Sequence, residues 1–264
     1  VYHIPLGINS RRIASLDWSS EAARKYSCEI SFVGNLYPSK LTEILSPMSS
    51  YTQGYLHALM DAQSKIYGCY LLDELLTEDL LAQINKEYKE KAPSTTFVLS
   101  KEALNFAMAS EITRKDRIIL LNLLGKRHHT KFYSYASSDL IKNAIYCGSL
   151  NYAAEMPYAF HYSKINLNPS LRIIQTGIPL RAFDVMGTGG FLLSNWQEEL
   201  AEFYTDGEDL ALYDSLPDAV EKAAFYLAHE EVRERIAQAG REKTLSEHDL
   251  RDILRAILET AGIN

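Results

Sequence analysis

The sequence predicts an α/β fold, a Rossmann-like parallel sheet flanked by helices, with a helical segment at about residues 40–90. From Lys131 onward, short apolar runs alternate with stretches of helical periodicity. Such alternation is typical of parallel strands joined by helical crossovers. In addition, 264 residues are enough for one large α/β domain, and 47% apolar with 23% charged residues is an ordinary globular composition.

Strands are expected where β-rich runs end at turn residues, as Glu29–Val33 ends at Gly34-Asn35. The other predicted strands are Lys131–Tyr135, Ala144–Cys147, Ile165–Leu167, Gly190–Leu193 and Leu210–Tyr213. The carboxyl ends of parallel strands meet at one edge of a sheet, where the loops bind ligands. The candidate loops are Gly34-Asn35, Gly148-Ser149, Asn168–Arg181 and Ser194-Asn195.

Helices are expected where apolar residues recur at helical spacing. A long amphipathic helix is predicted from Leu71 to Tyr88, before Pro93. The later predicted helices are Lys101–Leu124, Pro157–Tyr162, Leu180–Met186, Leu216–Ala228, Glu231–Ala239 and Ser246–Thr260.

Three regions follow from this pattern. Residues 1–27 are expected to be a linker or edge segment, residues 28–245 the Rossmann-like domain, and residues 246–264 a carboxyl-terminal helix. The chain opens with Val1 rather than Met, so we expect residues 1–27 to lead in from a missing amino-terminal domain.

Charge and composition narrow the classes of partner. The net charge is −7 and no long basic stretch occurs, which argues against nucleic-acid binding. The sequence shows no apolar window long enough for a membrane span and no signal peptide, so a cytoplasmic protein is expected. Cys28, Cys69 and Cys147 lie in apolar stretches and are expected to be buried free thiols. The pair His128-His129 lacks a third ligand nearby, so no metal site is expected.

Residues 163–194 carry the most informative pattern of the chain. A predicted strand leads to a loop, Pro179 precedes a helix, Arg181 lies in its first turn and Asp184 lies one turn later. The free N–H groups at a helix start favour a phosphate, and a guanidinium adds a forked cation. A carboxylate on the same face can accept the two hydroxyls of a ribose. The block fits a nucleoside diphosphate; alternatively, Arg181 and Asp184 cap the helix and pair with each other.

This block resembles the carboxyl-terminal, donor-binding domain of group-1-like glycosyltransferases of the GT-B superfamily, in particular the spore-maturation (CgeB-like) branch. The shared features are a Lys-Ile-x-Leu-Asn strand at 164–168, a Pro-x-Arg-x-Phe-Asp helix start at 179–184 and a glycine turn at 187–190. An Arg-x-x-Ile-Ala-x-x-Gly-Arg helix at 233–241 and His248 follow. The similarity is dense over residues 144–248, and residues 30–37 resemble the first strand and its glycine loop.

The resemblance implies two Rossmann-like domains, with the donor nucleotide sugar bound by the carboxyl-terminal one. Arg181 would contact the diphosphate, Asp184 the ribose hydroxyls, and the backbone at Gly148 the base, while Gly34 and Asn35 would line the phosphate side. The remaining expected donor contacts are Tyr152, stacked on the base, Lys164, at phosphate or base, and Pro179 and Phe183 in the motif itself.

One departure concerns a Glu-x7-Glu motif of the related retaining families. Thr176 occupies the position of the first acid of this motif. Asp184, one methylene shorter than Glu, takes the place of the second acid. We therefore assign no catalytic residue. The expected function is transfer of a sugar from a nucleoside diphosphate to an acceptor, without cofactor or metal, since the sequence has no Asp-x-Asp. The acceptor would be held by the missing domain, so this fragment alone is expected to be inactive.

Two other functions remain open from the sequence. The first is a non-catalytic binding or assembly module with the same fold, which the threonine at position 176 allows. The second is a nucleotide-sugar epimerase, which ranks lowest because the paired His and carboxylate signals of such an enzyme are not evident.

Overall fold

The computed structural model describes residues 4–94 and 96–263. Over these residues, six parallel strands form one sheet in the order β3-β2-β1-β4-β5-β6. The strands are β1 Cys28–Val33, β2 Thr130–Tyr133, β3 Ile145–Tyr146, β4 Ser163–Asn168, β5 Leu192–Asn195 and β6 Ala211–Tyr213. The predicted fold class is confirmed, and all six predicted strands are present with shifted ends.

Helices precede β1 and lie in every connection of the sheet except that from β2 to β3. Two short ones come first, α1 Ser10–Ala14 and α2 Ser20–Tyr26. The crossover from β1 to β2 holds α3 Leu41–Leu45, α4 Ser50–Ser64, α5 Leu72–Leu75, α6 Glu78–Lys91 and α7 Lys101–Gly125. The later helices are α8 Met156–His161, α9 Leu180–Gly187, α10 Glu198–Phe203, α11 Leu216–Ala228, α12 Glu230–Glu247 and α13 Leu250–Thr260.

The sheet is buried on both faces, and β1 shows how its residues are divided. Ile30 and Phe32 pack with α7 and α11, whereas Val33 packs on the other side with α8 and α9. Successive side chains of a strand point to opposite faces, so this alternation follows from the strand itself. Two apolar layers therefore enclose the sheet and hold its carboxyl edge in place.

The helical segment before β2 has an apolar core of its own. Leu56, Met60 and Ile84 from α4 and α6 pack there against Met108 in the first half of α7. The second half of α7 packs on the sheet instead, so this 25-residue helix joins the segment to the domain. The single helix predicted from Leu71 to Tyr88 is wrong, because Thr77 caps a new helix by accepting from the Leu80 N–H.

The described residues before β1, which belong to the predicted linker or edge segment, pack on the domain. The N–H of Ile8 donates to the His248 carbonyl at 2.8 Å, and Leu250 donates back to the Ile8 carbonyl at 2.9 Å. The last helix begins at Leu250, not at the predicted Ser246, since α12 continues to Glu247. The Asp249 carboxylate caps this last helix by accepting from the Arg251 N–H.

The cysteines differ in exposure. Cys28 is buried and Cys147 is half-buried, whereas Cys69 is exposed in the turn between α4 and α5, so the prediction of three buried thiols is wrong. Across the described residues, no helix combines the length and the apolar character that crossing a bilayer requires.

Candidate functional site

The strand order reverses between β1 and β4, the central pair of the sheet. The chain proceeds from β1 outward to β2 and β3, and then returns to place β4 on the other side of β1. Open parallel sheets bind ligands outside the carboxyl ends of their strands at such a reversal. The loop after β1 begins at Gly34 and the loop after β4 begins at Pro169, so these two loops border the candidate site.

Arg181 in the first turn of α9 joins the ends of β1 and β4. Its Nη1 donates to the Val33 carbonyl at 2.7 Å and its Nε donates to Asn168 Oδ1 at 2.8 Å. A Cβ on Gly34 would lie 2.4 Å from Arg181 Nη1, so glycine at this position leaves room for the guanidinium. Among the described residues, none accepts a hydrogen bond from Arg181 Nη2, which leaves that nitrogen for a ligand.

Arg117 on α7 reaches the same two loops from the opposite side. Its Nε and Nη2 donate to the Pro169 carbonyl at 3.0 and 2.6 Å, and its Nη1 donates to the Asn35 carbonyl. The side chain is 2% exposed. The sequence analysis missed this residue because it lies in a helix without a recognised motif. The sequence offered no clear signal, because the buried face of that helix carries other polar residues as well, among them Asn105, Glu111 and Thr113.

The two arginines form a cationic pair that makes no ion pair with a described carboxylate. Their guanidinium carbons lie 5.2 Å (Arg117) and 5.5 Å (Arg181) from the Phe32 ring centroid, and neither makes an ion pair with a described carboxylate. Burial, followed by the charge of Arg117, lowers the pKa of Arg181 to about 9, and burial lowers the pKa of Arg117. A pKa of about 9 keeps Arg181 protonated at neutral pH, and an arginine guanidinium is in general charged in proteins. Since buried charge without a counter-ion is costly, the pair favours an incoming anion.

Asp184, one turn after Arg181, is buried and does not pair with that arginine. Its Oδ1 accepts from the Tyr152 hydroxyl at 3.1 Å and lies 3.7 Å from Arg12 Nη2. Burial raises the pKa of Asp184 to about 6, against the opposing effects of the Tyr152 hydrogen bond and the Arg12 charge. The expected alternative, an Arg181–Asp184 pair that only caps the helix, is therefore wrong.

Arg12 on α1 is a second residue that the sequence analysis missed. Its Nη1 donates to the carbonyls of Tyr152 and Ala153 at 3.3 and 3.5 Å, and its guanidinium carbon lies 4.9 Å from the Tyr152 ring centroid. Residues 1–27 are expected from the sequence to be a linker or edge segment, which offers no candidate site residue. The structure shows that Arg12 holds the Tyr152 loop beside Asp184.

A cavity of about 60 Å³ opens beside Gly34, where β1, β2 and β3 end. It is lined by Val33, Gly34, Asn35, Tyr133, Ser134, Tyr135, Ser149, Leu150 and Met156. Gly148 turns the chain next to it with a φ of 75°, and its carbonyl accepts from the Ser134 N–H at 2.9 Å. The geometry brings Gly34, Asn35 and the Gly148 turn to one side of the arginine pair, as expected for neighbouring strand ends.

Two of the predicted donor contacts lie elsewhere. Lys164 is near the amino end of β4, at the opposite edge of the sheet, and its ammonium lies 3.7 Å from Glu230 Oε1. Phe183 is fully buried under α9, where its ring packs against His248. Both predictions are wrong, because a matching motif does not show which end or face of an element a side chain occupies. Pro179 immediately precedes α9 and sets its start.

Several solved structures are similar to this chain. A glycosyltransferase from Rickettsia africae ESF-5 is 11% identical, with a TM-score of 0.50 over 97% of this chain and 55% of that one. HepE from Anabaena, in a structure with UDP and glucose, is 10% identical, with a TM-score of 0.48 over 98% and 56%. The carboxyl-terminal domain of LpcC, a group 1 glycosyltransferase from Francisella tularensis, is 14% identical, with a TM-score of 0.44 over 92% and 100%.

The share of each solved structure that this chain covers differs from protein to protein. This chain spans between 31% and 55% of the first solved structures that it matches. The sequence has no significant match among curated proteins. A family model described as "Glycosyl transferase-like" matches residues 106–259, which is more than half of the chain and includes most of α7, all of α9 and the loops between them. The chain belongs to this glycosyl transferase-like family.

Proposed function

We propose that this chain binds the nucleoside-diphosphate sugar of a glycosyltransferase, at the carboxyl edge of the sheet between β1 and β4. The observation that carries the proposal is the pair of protonated arginines, Arg117 and Arg181, which are held over the strand reversal and make no ion pair with a described carboxylate. A diphosphate supplies the missing negative charge and accepts from the free Nη2 of Arg181. The start of α9 adds a favourable dipole at the same place.

The groups around the arginine pair fit the rest of a nucleotide. Asp184 and Tyr152 present a carboxylate and a hydroxyl on the α9 side, where ribose hydroxyls can donate to the carboxylate. The Gly148 turn and the cavity beside Gly34 offer backbone groups and a recess for a base. This arrangement orients the nucleotide so that its terminal phosphate, and the sugar that it carries, face the loop after β4.

In sugar transfer the diphosphate leaves with an additional negative charge. Arg181 and Arg117 stabilise the transition state, in which this charge develops, more strongly than the ground state. A fixed cationic site accelerates the reaction by this difference. We therefore propose that the reaction is independent of a metal ion. Addition of a chelator should then leave donor binding unchanged. We also propose that the acceptor and the general base come from a further domain, so that this chain alone binds donor without turning it over.

The finer parts of the assignment are proposals of the same kind. The Lys-Ile-x-Leu-Asn and Pro-x-Arg-x-Phe-Asp patterns support membership of the spore-maturation (CgeB-like) branch. A cytoplasmic location fits the use of a nucleotide sugar. A second candidate function, a non-catalytic module that binds the nucleotide without transfer, is favoured by one observation: an exposed threonine, Thr176, stands where an acid is expected.

Calorimetric titration with UDP, GDP, ADP and TDP tests the proposal. We expect micromolar binding of one nucleotide, and a loss of about 100-fold in Arg181→Ala, since charge-assisted hydrogen bonds to a phosphate are lost. Arg233→Ala is the control, because Arg233 is a buried arginine that donates to the Tyr226 carbonyl and to Glu230, in the α11–α12 region. Absence of binding by the folded protein, or equal losses in both variants, contradicts the proposal.

A further inference from the structure

The edge of the sheet at β3 carries exposed apolar side chains. β3 is the outermost strand on its side of the sheet, and its Tyr146 is 42% exposed. Leu123 on α7 and Leu140 in the loop before β3 are 40% and 57% exposed. Asn122 holds this loop on α7, because its Nδ2 donates to the Leu140 carbonyl at 2.7 Å and its Oδ1 accepts from the Lys142 N–H at 2.8 Å. The end of α7 and the edge strand therefore share one surface.

Tyr146 lies on the side of the sheet that α7 covers. It pairs with Phe132 in the register of the sheet, and the two ring centroids are 5.2 Å apart. Phe132 belongs to the apolar layer that contains Leu124 of α7. The Tyr146 hydroxyl donates to the Ser134 carbonyl at 3.1 Å, which fixes the ring at the rim of that layer. An amphipathic ring is thus held at the sheet edge, half in the protein and half outside it.

Three cations border these side chains. Lys126 and Arg127 follow the last turn of α7, and Lys142 lies in the loop before β3. A Cβ on Gly125 would lie 2.3 Å from the Asn143 carbonyl oxygen, so the end of α7 and this loop are in direct contact. All three cations are exposed, and none makes an ion pair within residues 4–94 and 96–263. The β3-edge patch consists of Leu123, Leu140, Tyr146, Lys126, Arg127 and Lys142.

The charge of this region is opposite to that of the chain. Residues 122–146 contain four lysines or arginines and one acid, Asp139, which gives a net charge of +3. The chain as a whole carries −7, so the remaining residues carry −10. An anionic surface therefore attracts the β3-edge patch and repels the rest of the molecule, which favours one orientation.

Two other occupants fit the β3-edge patch less well. An added peptide strand would gain few backbone hydrogen bonds, because β3 has only two residues. A second copy of this chain, related by a two-fold axis, would bring the same three cations together, which is unfavourable. A surface that offers negative charge outside and an apolar layer beneath avoids both difficulties.

We propose that the β3-edge patch binds the surface of an anionic lipid bilayer. Lysine and arginine side chains attract anionic headgroups, tyrosine favours the level of the headgroups, and exposed leucines enter the boundary of the acyl chains. The cations precede β2 and β3, so they lie toward the amino edge of the sheet, whereas the arginine pair lies at the carboxyl edge. Attachment through the β3-edge patch therefore leaves the arginine pair uncovered, and the inference does not depend on the proposed function.

Cosedimentation of the full chain with lipid vesicles tests the inference. Vesicles of phosphatidylcholine with about 30% phosphatidylglycerol supply the anionic surface, and vesicles of phosphatidylcholine alone are the neutral control. We expect binding to the anionic vesicles, with an affinity that falls as salt is added, and no binding to the neutral ones. Absence of binding to the anionic vesicles, or equal binding to both kinds, overturns the inference.

A first variant removes the three cations of the patch: Lys126→Gln, Arg127→Gln and Lys142→Gln. It should weaken binding to the anionic vesicles about 100-fold, because each cation near a negative surface contributes to the attraction. The matched control removes three exposed lysines of α6: Lys86→Gln, Lys89→Gln and Lys91→Gln. Both variants change the net charge equally, so equal losses of affinity would show that only net charge matters and would overturn the inference.

A second variant, Leu123→Asn with Leu140→Asn, removes two leucines of the patch. It should weaken vesicle binding about tenfold, because less apolar surface leaves water. The matched control is Leu254→Asn with Leu258→Asn on α13, where the two leucines are 50% and 47% exposed. The control should bind as the unaltered protein does. A loss in the control without a loss in the patch variant would place the contact on α13 and overturn the inference.

Two further measurements separate this inference from a dimer and from the proposed function. A dimer in the absence of lipid that Leu123→Asn with Leu140→Asn dissociates would assign the patch to a second copy and overturn the inference. Nucleotide affinity should be the same with and without anionic vesicles. Vesicle binding without nucleotide binding refutes the proposed function alone, and nucleotide binding without vesicle binding refutes the membrane patch alone.

Discussion

Two groups of arginines, Arg172 on one side and the pair Arg117 and Arg181 on the other, differ in what balances their charge. Arg172 donates to Asp116 at 2.9 and 2.8 Å and lies over the ring of Tyr67. Arg117 and Arg181 donate to neutral carbonyl and amide oxygens, lie beside aromatic rings and make no ion pair with a described carboxylate. The first group is complete within the protein, whereas the second lacks an anion. Burial alone therefore does not mark a ligand site, and the missing counter-charge does.

The largest effect is expected on the free energy of unfolding, from breaking the ion pair between Arg172 and Asp116. Arg172→Ala leaves the buried Asp116 carboxylate unpaired and should lower the free energy of unfolding by about 3–5 kcal/mol. Urea denaturation measures this loss. The double variant Arg172→Met with Asp116→Leu should recover most of it, since no buried charge remains. A loss below about 1 kcal/mol in the single variant would place the pair in the range of exposed salt bridges and weaken the comparison.

The next largest effect is expected on nucleotide affinity, from removing Arg117 of the arginine pair. Arg117→Ala should weaken nucleoside-diphosphate binding about 100-fold, since it removes one cation and releases the loops at Asn35 and Pro169. Its stability loss should be smaller than that of Arg172→Ala, because no carboxylate is left unpaired. Calorimetry and urea denaturation of the same samples measure the two quantities. A stability loss equal to that of Arg172→Ala with unchanged nucleotide affinity would show that Arg117 is purely structural.

A smaller effect on nucleotide affinity is expected when the pH is lowered, because Asp184 becomes protonated. Its pKa is raised from 3.8 to about 6, so at pH 5 about one-tenth of the folded protein carries the carboxylate that accepts the ribose hydroxyls. Nucleotide affinity should therefore be about tenfold weaker at pH 5 than at pH 8. The same shift makes the fold more stable with Asp184 protonated, so its stabilising contribution is lost as the pH rises from about 4 to about 6.

The control for this pH effect is Asp184→Asn. The terminal phosphate of the nucleotide also titrates near pH 6, so the informative quantity is the difference between the two proteins. The variant should bind weakly at both pH values and keep only the dependence that the phosphate causes. An identical pH profile in both proteins would remove Asp184 from the nucleotide site.

The smallest effect is expected at Lys164. Its ammonium pairs with Glu230 at the amino edge of the sheet, away from both groups of arginines. Lys164→Ala should change nucleotide affinity by less than about twofold, and the free energy of unfolding by less than about 1 kcal/mol. A tenfold loss of affinity would mean that the site extends to this edge, contrary to the position of β4.

Local sequence patterns predicted the parts of the site that one segment builds. The Gly34 turn, Pro179 and Arg181 follow from strand ends and from a helix start, which neighbouring residues determine. Arg117 and Arg12 were not predictable in this way, because their partners lie 52 to 141 residues away in the chain. Only the packing of α1 and α7 on the sheet brings them to the site.

The errors at Lys164 and Phe183 have a different origin. Both residues match the motif in sequence, but the motif contains residues that build the domain as well as residues that contact ligand. The position of Lys164 at the second residue of β4 already indicated the amino edge of the sheet. The helical phase of Phe183 relative to Arg181 indicated another face of α9, which the packing against His248 confirms.

Titration with inorganic pyrophosphate tests the central claim most directly, because it needs no knowledge of the base or the sugar. If the incomplete arginine pair is a diphosphate site, pyrophosphate binds the folded protein saturably, the affinity falls with salt, and both Arg117→Ala and Arg181→Ala abolish it. Arg233→Ala should bind as the unaltered protein does. Failure of pyrophosphate to bind, or binding that survives both site variants, would contradict the assignment of this edge of the sheet to a nucleoside diphosphate.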